Sequence, residues 1–262
     1  MIIDSHCHIY PDKIAQKATD ATGRFYDLPM FNNGSVSMLL SEGEKAGIDK
    51  FIVESVATTP RQVGSINRFV AKTVLENPGK MIGLGTLHPN SENIEEDVDE
   101  LISLGLKGVK LHPDIQGFKL DDFRCLKIYE ICEKRGLPVL IHTGDKRYDN
   151  SNPNRLIPIL DIYDKMTVIG AHFGGYSVWD EASKVLPGRK NLYVDCSSSF
   201  QDLTDDEIRN LISLYGADRV LFGTDYPMWN MKEVLDRLLS LGLNSEDLEK
   251  ILHLNAEKIY GI

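Results

Sequence analysis

Cysteine is scarce in this chain, and the four present (Cys7, Cys125, Cys132 and Cys196) form no Cys-x-x-Cys pair. That rules out a dithiol redox motif, a Cys-rich zinc module and a disulfide framework, and leaves reduced thiols as in a cytoplasmic protein. Cys125 and Cys132 lie seven apart on a predicted helix and read as core residues, whereas Cys7 has the strand parity of a side chain facing the helix layer. No apolar run approaches the roughly 18 residues of a membrane span. No basic leader with an apolar stretch precedes the first strand, so the expected location is the cytoplasm. Positive charge is also short: 29 Lys and Arg against 39 Asp and Glu give a formal charge of −10. Nucleic acid and anionic membrane both need a basic surface and are excluded as main partners. No linker or low-complexity tract divides the 262 residues, so one domain over 1–262 is expected. No Gly-rich phosphate turn follows an early strand, which argues against an open nucleotide-binding sheet.

What the chain does have is a regular alternation. Eight apolar or β-branched runs fall at 2–5, 50–56, 81–87, 108–112, 138–142, 167–172, 191–196 and 219–224. Helical patterns lie between them at 36–46, 61–77, 94–104, 122–135, 153–163, 179–186, 205–215 and 232–241, many followed by a Gly suited to a helix end (Gly47, Gly105, Gly136, Gly216, Gly242). Continuous apolar strands alternating with helices imply parallel βαβ units, and eight such units fit a single (β/α)8 TIM barrel. Residues 245–260 read as an extra C-terminal helix closing over the barrel. The longest irregular stretch, 9–35, carries Tyr10, Pro11, Phe25, Tyr26, Pro29, Met30 and Phe31 and is expected to fold over a pocket.

The active face of such a barrel is the carboxyl end of its strands. Six of the seven histidines stand there: His6 and His8 after the first strand, then His88, His112, His142 and His172, with Asp225 ending the eighth. His6 and His8, two residues apart on a strand, leave the same face toward one point. With His142 and Asp225 they offer three imidazoles and a carboxylate, a donor set for one divalent ion: zinc first, with manganese or iron also suited. Such an ion brings the pKa of a bound water toward neutrality, and Asp225 can take that water's proton. His172 is expected beside this centre as an acid/base or as an electrophile polarising a substrate oxygen, with ligation of a second metal as the competing role. Lys110 is either a carboxylated lysine completing that second site or a barrel-interior lysine paired with a carboxylate such as Asp4 or Asp195. Pocket candidates beyond the metal are Lys110, His112, Arg61, Tyr226 and Trp229, with Lys146, Arg147 and Tyr148 on the loop after His142.

The segments Asp4-x-His6-x-His8, Gly108-Val-Lys-Leu-His-Pro113, Pro138-Val-Leu-Ile-His-Thr-Gly144, His172-Phe-Gly-Gly175 and Gly223-Thr-Asp-Tyr-Pro227 resemble, in that order, the amidohydrolase superfamily. More narrowly the chain is similar to its amidohydrolase-related (amidohydrolase 2) branch of TIM-barrel enzymes, and the ending Ile251-Leu-His-Leu-Asn-Ala-Glu-Lys-Ile-Tyr-Gly261 resembles that branch's closing helix. The resemblance spans essentially the whole chain. It implies that His6, His8, His142 and Asp225 are metal ligands and that His172 is the catalytic histidine. In binuclear branches the carboxylated lysine ends the fourth strand, where this chain has His112, which speaks against a second metal. A related deoxyribonuclease branch places Glu on that strand; its absence and the charge speak against a nuclease.

The leading expectation is a mononuclear metal-dependent hydrolase in which activated water attacks a small amide, lactone or ester. The alternative is a metal-dependent non-oxidative decarboxylase of an aromatic or unsaturated acid, and a third, weaker one is a catalytically silent metal- or ligand-binding barrel. A small-molecule substrate is the expected partner, with a homodimer open.

Overall fold

A computed structural model describes residues 1–262. Nine parallel strands alternate with helices in chain order: β1 (Ile3–His8), β2 (Lys50–Glu54), β3 (Met81–Gly83), β4 (Gly85–Thr86), β5 (Val109–Leu111), β6 (Val139–Ile141), β7 (Val168–Gly170), β8 (Leu192–Asp195) and β9 (Val220–Leu221). They pair consecutively as β1-β2-β3 and as β4 through β9. The expected third strand is thus split at Leu84. The cause is a change of neighbour: Leu84 N–H donates to Val53 O (2.9 Å), and Gly85 N–H to Gly108 O (2.9 Å). The last strand meets the first through Ser5 N–H to Phe222 O (2.9 Å) and His8 N–H to Tyr226 O (2.7 Å). The architecture is the α/β barrel expected from the alternation.

Two apolar layers follow from strand parity. Ile3, Ile52, Leu84, Leu140, Ile169 and Leu221 fill the interior of the strand ring, while Cys7, Val53, Val109, Val139, Val168 and Val220 pack outward against the helices. Cys7 therefore lies where its parity placed it. A register irregularity between Asp4 and Cys7 shifts β1 by one residue. It allows Ile3 to fill the interior and His6 and His8, three and five residues on, to face the same side at the strand's end.

The C-terminal segment runs as a helix (Ser245–Glu249), a π-helical turn (Lys250–Leu254) and a second helix (Asn255–Tyr260). The turn has a tertiary reason: the Ile251 carbonyl leaves the helical ladder to accept from Phe222 N–H (2.8 Å). Ala256 and Tyr260 close the interior cluster at the amino ends of the strands, opposite the histidines. No helix is long and apolar enough to cross a membrane.

The stretch 9–35 departs from the irregular loop expected of it, because it contains a helix, Ala15–Tyr26. Its buried positions are Ala15, Thr19 and Gly23, a stripe four residues apart made of small side chains. That stripe lets the helix lie close on the barrel mouth while presenting Phe25 and Tyr26 to the cavity below.

Candidate metal-binding active site

A cavity of about 520 Å³ opens at the carboxyl ends of the strands, with His6, His8, Lys110, His112, His142, His172 and Asp225 at its floor. His6 and His8 come from β1, and Lys110 and His112 from β5 and the residue after it; His142 directly follows β6, and His172 and Asp225 stand on the loops after β7 and β9. His172, Ser198 and Asp225 have left-handed backbones, with φ of 60°, 48° and 60°. Non-glycine residues adopt that region at a cost, and its recurrence at three adjoining strand ends marks a site where geometry outranks local comfort. Gly144 has a different reason for being glycine: at φ +85° its missing Cβ would lie 2.7 Å from Gly175 backbone atoms. The close crossing of these two loops brings His142 against His172.

His6 is the hub. Its Nδ1 lies 2.9 Å from Asp195 Oδ2, and its Nε2 is 3.3 Å from His8 Nε2 and 3.5 Å from Asp225 Oδ1. His8 Nε2 is also 3.5 Å from that Asp225 oxygen. Asp195 organises the wall behind, its Oδ1 accepting from His172 N–H (3.0 Å), Ser197 N–H (3.0 Å) and Ser197 Oγ–H (2.5 Å). Asp225 is held by Ser198 Oγ–H to Oδ2 (2.5 Å), and Trp229 Nε1–H donates to Ser198 Oγ (2.7 Å). Asp4 ties β1 to the loop before Asp225, accepting from Thr224 N–H (2.9 Å) and Thr224 Oγ1–H (2.5 Å). His172 Nδ1 faces the Ser197 carbonyl at 3.0 Å, which places its proton there and turns the Nε2 lone pair toward His142 Nδ1, 3.0 Å away. His142 therefore joins the group through His172. Its other face stacks on His112, with ring centroids 4.0 Å apart, and its Nε2 is buried with no hydrogen-bond partner, 3.6 Å from Asp114 Oδ2.

Several sequence expectations are corrected here. Lys110 is an interior lysine, but it pairs with neither Asp4 nor Asp195: its Nζ is 2.7 Å from His6 Nε2 and 3.8 Å from Glu54 Oε1, because those two aspartates are taken by Thr224 and His6. Arg61 is exposed on a one-turn helix at 60–62 that turns it outward, while Gln62 and Ser65 line the cavity. Tyr226 is fully buried and donates to Ser35 O (2.7 Å), and Trp229 is spent on Ser198; the cavity wall after Asp225 is Pro227 and Met228 instead. His88 caps the turn at Asn90 (3.2 Å) outside the cavity. Arg147 does not fork onto the cavity either. Its fork holds Asp145 (3.0 and 2.6 Å), it donates to Phe25 O (2.5 Å), and it lies 5.0 and 5.2 Å from the Phe25 and Tyr26 rings, clasping the helix Ala15–Tyr26 to the mouth.

Glu54 is the functional candidate that sequence reasoning passed over. It ends β2 opposite His8, and both its oxygens are buried without a hydrogen bond. Burial pushes its carboxyl up to about 8 against the pull of His6 and Lys110. The folded chain thus keeps a proton there that an unfolded chain, titrating near 4.5, has released. Stability of the metal-free protein should then fall as pH rises from 4.5 through 8. Glu54→Gln is expected to flatten that fall: melting temperatures of the metal-free proteins should be similar at about pH 5 and should favour the variant at about pH 9. Parallel curves would remove Glu54 as their cause.

The remaining charges are set by the same crowding. Burial would raise Asp225, but His6, His172 and His8 hold it ionised, below the ordinary carboxylate range. Burial pushes His172 down to about 4 and His8 and His142 well below the usual imidazole value, so all three are neutral near pH 7.

Three members of the expected donor set, His6, His8 and Asp225, fit a divalent ion, whereas the donor atoms of His142 group with those of His112 and Asp114. Two ligands at about 2.1 Å from a tetrahedral centre stand about 3.4 Å apart. His6 Nε2, His8 Nε2 and Asp225 Oδ1 are separated by 3.3, 3.5 and 3.5 Å. Donor atoms of His6, His172 and Asp225 also lie within 4.8 Å of one another. A cation already occupies part of this space, the Lys110 ammonium on His6 Nε2.

The chain is 26% identical to 2-amino-3-carboxymuconate-6-semialdehyde decarboxylase of Dictyostelium discoideum over 198 residues, 62% of this chain and 55% of that protein. The match thus spans about half the relative's length. Among solved structures, an uncharacterised TIM-barrel protein from Bordetella bronchiseptica is 26% identical with a TM-score of 0.81, covering 99% of this chain and 98% of that one. A dihydroxybenzoic acid decarboxylase from Polaromonas sp. JS666, solved with manganese and the inhibitor 2-nitroresorcinol, superposes with a TM-score of 0.75 at 16% identity, over 99% and 96% of the two chains. The amidohydrolase family profile matches residues 3–262, and the chain belongs to that family.

Proposed function

We propose that the protein is a metal-dependent decarboxylase of a small aromatic or unsaturated carboxylic acid. The observation that carries this reading is the shape and chemistry of the cavity. About 520 Å³ is room for a single-ring acid, and above the histidine floor the wall is apolar, with Tyr10, Phe25, Tyr26, Ile66, Phe69 and Met228 among its residues. Such a wall accepts a planar hydrocarbon frame and strips water from the carboxylate it carries. Desolvation disfavours that localised charge relative to neutral carbon dioxide and a dispersed carbanion. The bond to the carboxylate carbon breaks, its electron pair stays on the ring or alkene carbon, and a proton is added there as carbon dioxide leaves. That proton comes from water, and Asp225 and His172, neither of which carries it at rest, are the groups placed to take it up and pass it on. His6, His8, His142 and Asp225 would hold the metal, which when bound supplies an electrophile that fixes a substrate oxygen and disperses negative charge. The decarboxylase names of the Dictyostelium and Polaromonas proteins support the reading.

Hydrolysis of a lactone, amide or ester is the second reading. It is favoured by the pairing of an ionised Asp225 with a neutral His172, a base beside a proton acceptor. One screen separates the two: carbon dioxide release from hydroxybenzoates and unsaturated acids, run beside turnover of lactones, amides and esters. Decarboxylation without hydrolysis is expected, and hydrolysis alone would overturn the proposal.

A further inference from the structure

We propose that Tyr26 is a substrate-binding residue whose phenolic O–H is donated to an oxygen of the bound acid. The direction of one proton decides the role of Tyr26. His112 is the N-cap of the one-turn helix Pro113–Gln116, and its Nδ1 accepts from Ile115 N–H at 3.3 Å. A backbone N–H can only donate, so Nδ1 carries the lone pair and the single proton of the neutral ring sits on Nε2. That Nε2 lies 2.7 Å from Tyr26 Oη. His112 is thus the donor in this bond, the phenol oxygen is the acceptor, and the phenol's own proton remains unspent. The structure gives it no other protein partner.

Position decides where that proton goes. Tyr26 is the last residue of the helix lying over the mouth, its ring centroid is 6.1 Å from that of His142 and 5.6 Å from that of Tyr176, and it lines the cavity together with His172 and Asp225. Arg147, stacked on its ring and bonded to the preceding carbonyl, fixes the phenol's height above the floor. A donor held over an apolar cavity selects a ligand with an acceptor oxygen away from the metal face: a second carboxylate, a phenolate or a ring hydroxyl. A bare hydrocarbon acid would leave the donor unpaired in a dry site, at a cost.

The inference rests on the proposed reading of the cavity as a substrate site, so its test has one arm that needs no substrate. In protein labelled with ¹⁵N-histidine, the ring shifts of His112, assigned by their loss in His112→Gln or by their selective movement in Tyr26→Phe, report which nitrogen is protonated. The Nε2–H tautomer is expected; the Nδ1–H tautomer would make Tyr26 the donor to His112 and overturn the proposal. In the second arm, Tyr26→Phe keeps the ring and the lid packing. On whichever acid the screen finds, it is expected to lower kcat/KM roughly 10–100-fold with KM raised and metal content unchanged. An unchanged kcat/KM would overturn the assignment. If no acid turns over, the decarboxylase reading fails while the tautomer still decides the direction of the bond.

Discussion

Replacing Asp225 by Asn is expected to lower kcat by about 10³-fold or more while leaving the chain folded. Asparagine has nearly the same volume, and its amide oxygen can still accept from Ser198 Oγ–H, the bond that now holds Oδ2 at 2.5 Å. The strained backbone at φ 60° is also tolerated by Asn better than by most residues. What disappears is the negative charge. In the native site that charge sits 3.5 Å from both His6 Nε2 and His8 Nε2, and it is kept ionised by them and by His172. An uncharged amide neither takes a proton nor balances a divalent cation among imidazoles. Loss of a general acid–base group alone accounts for about 10²–10⁴-fold. The measurement is kcat of both proteins on the acid or ester found by the screen, with metal content and circular dichroism recorded on the same samples. A variant that folds and keeps kcat within a few-fold would remove Asp225 from the chemistry on either reading.

The strand ends were legible because barrel geometry turns a one-dimensional pattern into a shared location. A polar residue closing an apolar run points into the mouth whichever strand carries it, so His6, His8, His142, His172 and Asp225 could be grouped without knowing any distance. Glu54 shows the limit of that logic. It also closes an apolar run, but its importance comes from the register that sets it opposite His8, and register between strands more than forty residues apart leaves no local trace. Lys110 was placed in the interior beside a carboxylate, and the carboxylate is Glu54 rather than the Asp4 or Asp195 offered as examples.

The residues after Asp225 and the helix Ala15–Tyr26 were hidden by different physics. Tyr226 and Trp229 follow a site residue directly, yet the left-handed turn at Asp225 sends Tyr226 into the core and gives the cavity Pro227 and Met228. The helix was invisible because its packed stripe, Ala15, Thr19 and Gly23, is selected for close approach rather than for hydrophobicity. A period-3.6 search for apolar side chains cannot find a face built from small ones. That helix carries Tyr26, so the proposed substrate contact was less legible than the proposed metal ligands at the strand ends.

Removal of the divalent metal is expected to abolish turnover and to lower the melting temperature by roughly 10 °C relative to protein in a thousandfold excess of ion over its dissociation constant, since such an excess stabilises the folded state by about 4 kcal/mol. The reason lies in the donor geometry. His6 Nδ1 faces Asp195, so its Nε2 lone pair points at His8 Nε2 3.3 Å away, and His172 Nε2 likewise points at His142 Nδ1. Lone pairs so close repel unless a cation or a shared proton lies between them. In the metal-free chain the Lys110 ammonium partly fills that need, at 2.7 Å from His6 Nε2, and binding of an ion has to move it aside. Burial holds His8 and His142 well below the usual imidazole value, but at His6 the carboxylates of Asp195 and Asp225 outweigh burial and Lys110 and hold the ring above that value, so a proton competes for this ligand and occupancy should fall as pH is lowered through 6. The check is a chelator-treated sample, melted and assayed at pH 7 and again after addition of manganese or zinc, with occupancy followed between pH 5 and 7. Full activity in protein shown by elemental analysis to be metal-free would overturn the metal-dependent reading of both reactions at once.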